Sequence, residues 1–262
     1  MKNLFIFLFL VFTSAIQASG YECAMSGIQY FPQQKEISLH PMFIIEGYAW
    51  SQKDIVALKN REVFLESASR EKVALELQEI LKGEMQLTQA LYKPAQSLAP
   101  NTIYFLKVSA AQSENELEKF EQYNREKKEW ENVAWNTSNL KHTAPLNSNL
   151  QLEFVETNVE FYGCGPEANA VFDISGKGDA EIWYKTEVEE LATGKRTIYY
   201  IREWKDQLFV GHGMCSGAFT YKKDGKYKVR FTPLNIDGNE LATTSWTSFD
   251  SPFLHAENPW GF

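Results

Sequence analysis

Among its 262 residues the chain has only three cysteines, Cys23, Cys164 and Cys215, and four scattered histidines, at 40, 142, 212 and 255. Two closely spaced ligand pairs are the usual frame of a tetrahedral zinc site, and the sequence lacks a second pair beside His212-x-x-Cys215. Cationic clusters are missing as well. Lys and Arg total 26 against 34 Asp and Glu, for a net charge of −8. An acidic chain without a basic patch is a poor match to the phosphate backbone, so no nucleic acid partner is expected. Fifteen glycines and nine prolines are too few to suggest disorder. Beyond residue 12 no apolar run approaches the roughly 20 residues of a membrane-spanning helix, so none is expected in the mature chain.

What is present begins at the N-terminus. Lys2 precedes an unbroken apolar run, Leu4 to Phe12, and Thr13 to Ser19 then turn small and polar. That order predicts a secretory signal peptide over 1–18, cleaved after Ala18, and hence an exported protein. Tyr21-Glu22 before Cys23 do not fit a lipoprotein cleavage site. Cleavage removes one Lys and no acid, so the mature charge is 25 − 34 = −9. Three cysteines in an exported chain suggest one disulfide and one spare thiol. The pairs Cys23–Cys164, Cys23–Cys215 and Cys164–Cys215 are all open. Cys164–Cys215 is favoured because both residues fall in one half of the chain.

Short strands run from Met42 onward: "MFIIEGYAW" (42–50), "EVFLES" (62–67) and "KVALELQ" (72–78). Val73, Leu75 and Leu77 alternate with Ala74, Glu76 and Gln78, the period of a half-buried strand. The Leu, Glu and Ala content of 71–81 leaves a helix as the alternative. "SLAPNTIYFLKV" (97–108) puts a proline bend directly before a strand with an early tyrosine. Leu98, Tyr104, Leu106 and Val108 can share the buried face, and the Tyr104 hydroxyl can return to the backbone of the bend.

Leu98-x-Pro100-x-Thr102-x-Tyr104-x-Leu106-x-Val108 resembles the corner pattern of fibronectin type III and bacterial Ig-like domains. "YFPQQKEISLHPMFIIEGYA" (30–49) is similar to their opening strands, with "VAWNTSN" (133–139) as the closing one. The resemblance covers about residues 28–140 and implies a β-sandwich with a tyrosine corner at Tyr104. Where that family has a short loop, this chain carries a charged insertion at about 112–131, read as a solvated helix or an extended hairpin. Its functional reading is a projection that contacts a partner.

"LKHTAPLNSN" (140–149) reads as a polar connector, similar to the T-A-P linkers of tandem bacterial Ig-like domains. Strands then resume with "LQLEFVE", "NVEFYG", "NAVFDI", "AEIWYKTEVEEL" and "RTIYYIREW". Trp183 sits where a sandwich often buries a tryptophan. "DGKYKVRFTPLNIDGNELATTSWTSF" reads as two strands around an Asp237-Gly238 turn, with Tyr227 as a second corner. The expected fold is all-β, with two tandem Ig-like β-sandwich domains. Their bounds are 19–140 and 150–262, with the linker at 141–149.

"GHGMCSGAF" (211–219) mimics a nucleophile elbow with Cys215 in place of serine and His212 nearby. The elbow needs a strand-to-helix turn, however, and the following "AFTYKKDGKYKV" reads as β-turn-β. "NIDGNE" (235–240) has oxygen ligands around a glycine but lacks the rest of a calcium loop, so a turn explains it. No catalytic residue, cofactor or metal ligand is therefore assigned. Trp50, Trp204, Trp246 and Trp260 are candidates for exposed, sugar-stacking rings. The expectation is a non-enzymatic structural or protein-binding module. The rival is a carbohydrate-binding or hydrolytic protein, so the partner is a protein or a surface glycan.

Overall fold

The computed structural model describes residues 26–110, 117–257 and 259. The signal-peptide segment, Cys23, the start of the charged insertion and Trp260 lie outside the described residues. Among these residues the fold is all-β apart from α1 (Gln52–Ala57) and short 3-10 turns on either side of it.

The first half contains β1 (Gly27–Phe31), β2 (Glu36–Ile37), β3 (Phe43–Tyr48), β4 (Val63–Ser67), β5 (Lys72–Lys82), β6 (Leu87–Pro94) and β7 (Ile103–Val108). The hairpin β8 (Glu121–Asn124) and β9 (Glu129–Asn132) precedes the closing strand β10 (Ala134–Thr137). Eight of these strands form one ladder in the order β1-β3-β6-β5-β4-β7-β10-β2. The long β5 joins its two parts, pairing with β4 through residues 72–75 and with β6 through residues 75–82. A bulge between Leu77 and Glu79 shifts the register there, the kind of break that bends a strand. Strand, not helix, wins at 72–82 because paired neighbours on both sides outweigh a weak helical propensity.

The ladder's edges, β1 and β2, are successive pieces of one segment, separated at the cis Phe31–Pro32 peptide. β1 pairs antiparallel with β3, and β2 pairs in parallel with β10. Side chains from the ladder's buried face, among them Phe31, Phe43, Leu65, Tyr92, Leu106 and Trp135, fill the first core.

The second half contains β11 (Gln151–Tyr162), β12 (Gly165–Ser175), β13 (Ile182–Glu190), β14 (Arg196–Ile201), β15 (Gln207–His212), β16 (Lys226–Asn235) and β17 (Thr247–Asp250). They form a three-stranded sheet, β11-β12-β15, and a four-stranded sheet, β14-β13-β16-β17. Phe172, Tyr184, Phe219, Phe231 and Phe249 pack in the second core. "LQLEFVE" and "NVEFYG" are one strand, continuous through a register shift between Phe154 and Glu156. After the Asp237-Gly238 turn the chain runs beside β16 as irregular backbone, with a bridge from Leu234 to Glu240. The N–H groups of Leu241 and Thr244 donate to the carbonyls of Pro233 and Phe231 before β17 returns to pair with residues 226–229.

Two cores do not make two loose beads here. Trp183, Tyr200, Leu234 and Ile236 belong to the second half by sequence but pack into the first core. The β5–β6 turn reaches across, where Met85 N–H and Gly217 N–H each donate to the other residue's carbonyl. The connector is also clasped. Asp237, 1 % exposed at its side chain, accepts from Ser38 Oγ at 2.5 Å and from Thr143 N and Oγ1 at 2.5 and 2.9 Å. Asn235 Nδ2 donates to Thr143 Oγ1 at 3.0 Å. The "NIDGNE" turn thus uses its oxygen atoms to tie the first half and the connector to the second.

Candidate functional site

Tyr104 and Tyr227 occupy equivalent positions in the two halves. Buried Tyr104 accepts the backbone N–H of Ala99 at 3.1 Å, and Tyr227 accepts that of Lys222 at 2.7 Å. In both, a strand tyrosine returns to the backbone five residues upstream. The Pro100 bend and the Asp224-Gly225 turn supply the reversals that make this reach possible.

Cys164 and Cys215 are not joined. The β11–β12 register runs through to Tyr162 opposite Gly165, which leaves Gly163 and Cys164 as a two-residue turn at the hairpin's end. Cys164 is consequently a free, exposed thiol. Cys215 is in a disulfide, so the favoured Cys164–Cys215 pairing is corrected. Proximity in sequence misled because a tight hairpin turn carries its residues outward. Oxidised Cys215 supplies no thiolate, and Gly217 bridges back to His212 in a β-type turn with no helix behind it.

At the junction of the halves lies a cavity of about 800 Å³. Glu46 reaches its floor from the middle of the apolar strand β3 and is almost wholly buried. Its Oε2 accepts from Gln89 Nε2 at 2.7 Å and from the Tyr199 hydroxyl at 3.0 Å, and its Oε1 lies 3.4 Å from Arg202. Arg202 also lies 3.2 Å from the Phe31 ring centroid, a cation–π contact. Burial, reinforced by the Glu46 charge, pushes the Tyr199 hydroxyl far up and keeps it a donor. Every charge brought under cover here has a partner, the condition for burying it. Glu181 on the cavity wall accepts the N–H groups of Gln33 and Gln34 at 2.7 and 3.0 Å.

Glu84 makes a second polar joint. Lys195 and Thr197 donate to one oxygen, each at 2.7 Å, and Thr220 N and Oγ1 donate to the other at 2.8 and 2.9 Å. Burial works against its charge, but these donors outweigh burial and hold its pKa below the usual glutamate range. Neither joint was expected from the sequence. The available signal was an acid at a buried phase of a strand, Glu46 in "FIIEGY".

The described part of the charged insertion is a hairpin, not a helix. Asn124 Oδ1 caps its turn by accepting the N–H groups of Glu126 and Lys127 at 3.0 and 3.1 Å. Phe120 anchors the hairpin, buried edge-on against Tyr30, and Leu117 packs against the same core. Arg61 secures the base through the carbonyls of Ser109 and Leu117. Farther out, Tyr123 and Trp130 face each other across the strands, ring centroids 5.6 Å apart. They remain 49 % and 66 % exposed.

Of the other tryptophans, Trp50 and Trp204 are exposed, whereas Trp246 is half-covered beside Arg196, Lys228 and Arg230. Trp183 is fully buried, in the first core. Among the described residues no three His, Cys, Asp or Glu side chains converge on a metal position.

No protein-family model and no curated protein matches the chain. Solved structures give distant likenesses. A pullulanase from Anoxybacillus sp. LM18-11, complexed with maltotriose, is 10 % identical with a TM-score of 0.25. That match covers 85 % of this chain and 25 % of the pullulanase, so the chain spans about a quarter of its length. A cytokine receptor complex chain is 7 % identical with a TM-score of 0.26, over 87 % of this chain and 97 % of that one. The N-terminal part of the bacterial S-layer protein SbsC is 12 % identical with a TM-score of 0.23, over 82 % and 43 %. Likeness at this level carries no functional argument.

Proposed function

We propose that the protein is an exported, non-enzymatic module of two tandem Ig-like β-sandwiches, 19–140 and 150–262, that binds a protein partner through the β8–β9 hairpin. The apolar run Leu4–Phe12 supports export, and the paired tyrosine corners with their sheet orders support the sandwich reading. One observation carries the binding role: two large aromatic side chains are held together, mostly in solvent, on an arm anchored in the core by Phe120. Tyr and Trp dominate the energetics of protein interfaces, and a preordered pair loses little entropy on docking. The partner surface that suits it is an apolar pocket with a polar rim, because Glu129, Glu131 and Lys127 flank the rings.

The test is capture of partners from envelope extract by the mature protein and by a Tyr123→Ser/Trp130→Ser variant of matched thermal stability. The expected result is a partner retained by the wild type and lost by the variant. Equal capture by both proteins would remove the hairpin from the binding role.

A further inference from the structure

Independently of the hairpin, we propose that the cavity at the junction of the halves binds a neutral, polyhydroxylated ligand, an oligosaccharide. Its size, about 800 Å³, falls within the roughly 300–1,000 Å³ usual for small-ligand sites. The charge of its lining decides what it refuses. Five carboxylates line it, from Glu46, Glu167, Asp179, Glu181 and Glu203, and its two cations are already engaged. Arg202 pairs with Glu46, and Lys177 bridges Glu203 and Asp206. An anionic ligand would find no free counter-charge.

What the wall offers is acceptors. His212 lines the cavity and is 7 % exposed. Its Nδ1 lies 3.0 Å from the Gly213 carbonyl, which can only accept, so Nδ1 carries the proton and Nε2 presents a lone pair. Glu203, on the same wall, has its Oε2 buried with no hydrogen-bond partner among the described residues. A buried acceptor left open in this way calls for a donor from a ligand. Buried Asn169, opposite Gly211 on the neighbouring strand, adds an amide beside His212.

The rim supplies the other half of sugar recognition. Trp204 lines the same cavity, is 66 % exposed, and is fixed by its bridge to Gln207 across the Lys205-Asp206 turn. A flat ring of this kind packs against the apolar C–H face of a pyranose, while the hydroxyls donate to the carboxylates and His212. A polyamine would also meet carboxylates. Lys205, with its Nζ 5.6 Å from the Trp204 ring centroid, places a like charge at the entrance and disfavours it.

The experiment is calorimetric titration of the mature protein with neutral hexose oligosaccharides, N-acetylhexosamine oligomers and spermidine. It is repeated on Trp204→Ala and His212→Phe, each checked for native near-ultraviolet dichroism. We expect saturable binding of a neutral oligosaccharide, weakened about tenfold or more by Trp204→Ala, which is about 1.4 kcal/mol. The Tyr123→Ser/Trp130→Ser variant should bind it as the wild type does, which separates this site from the hairpin. Binding by spermidine alone would overturn the ligand class. Oligosaccharide affinity unchanged in Trp204→Ala would overturn the site, and no binding across the panel would overturn both. Should His212→Phe fail to fold, the Trp204→Ala comparison decides.

Discussion

Tyr104 and Tyr227 each bury a ring while their hydroxyls meet a backbone N–H that no strand satisfies. Replacing either with phenylalanine keeps the packing and orphans that N–H. Tyr104→Phe and Tyr227→Phe should each lower stability by about 1 kcal/mol in denaturant titration. An unchanged midpoint would remove the corner's energetic role. Glu84 permits a pH prediction with a definite sign. Its folded pKa is depressed, so its contribution is present above the unfolded glutamate value and is lost as pH falls through the folded one. The stability gap between wild type and Glu84→Gln should therefore be widest near neutrality and close in acid. A gap independent of pH would contradict the assignment. For the cysteines, iodoacetamide should label Cys164 and not Cys215 in the folded, unreduced protein, and labelled Cys215 would contradict the assignment. The corners were legible from a bend and a tyrosine at fixed spacing. The cysteine pairing was not, because it depends on which turns face each other, and spacing does not encode that.

At the scale of elements, apolar runs bounded by polar or turn residues located many of the strands, and several of these are covered on both faces. The long β5 was legible from Val73, Leu75 and Leu77, whose alternation is also its burial pattern. The hairpin β8–β9 was half-legible: its charge marked a projection that could be a helix or a hairpin, but nothing local marks Phe120 as its anchor. Phe120 is a core residue, so the arm is not a dispensable loop. Replacing residues 114–131 with a short turn would delete Phe120 and destabilise the first core. Phe120→Ala alone should cost about 3–5 kcal/mol, the usual price of emptying a buried aromatic site. Trimming only residues 122–131 should leave thermal stability near wild type, because those side chains lie largely in solvent. A large loss on trimming would show that the arm packs as a structural element.

At the scale of the molecule, the all-β character was legible in the sequence, whereas the contacts that clasp the 140–149 connector and join the two halves were not. Asp237, Glu46 and Glu84 each satisfy their oxygens across the junction, and Trp183 inserts into the first core. Such contacts join residues more than a hundred positions apart, so no local pattern announces them. Their consequence is that the two halves are joined by buried polar contacts as well as by the connector. The most direct measurement is photo-crosslinking in cells, with a photoreactive amino acid at position 130 and, as control, at exposed Leu191. The account predicts one discrete protein adduct from position 130 and none from 191. No adduct at 130, or the same adducts from both positions, would contradict it.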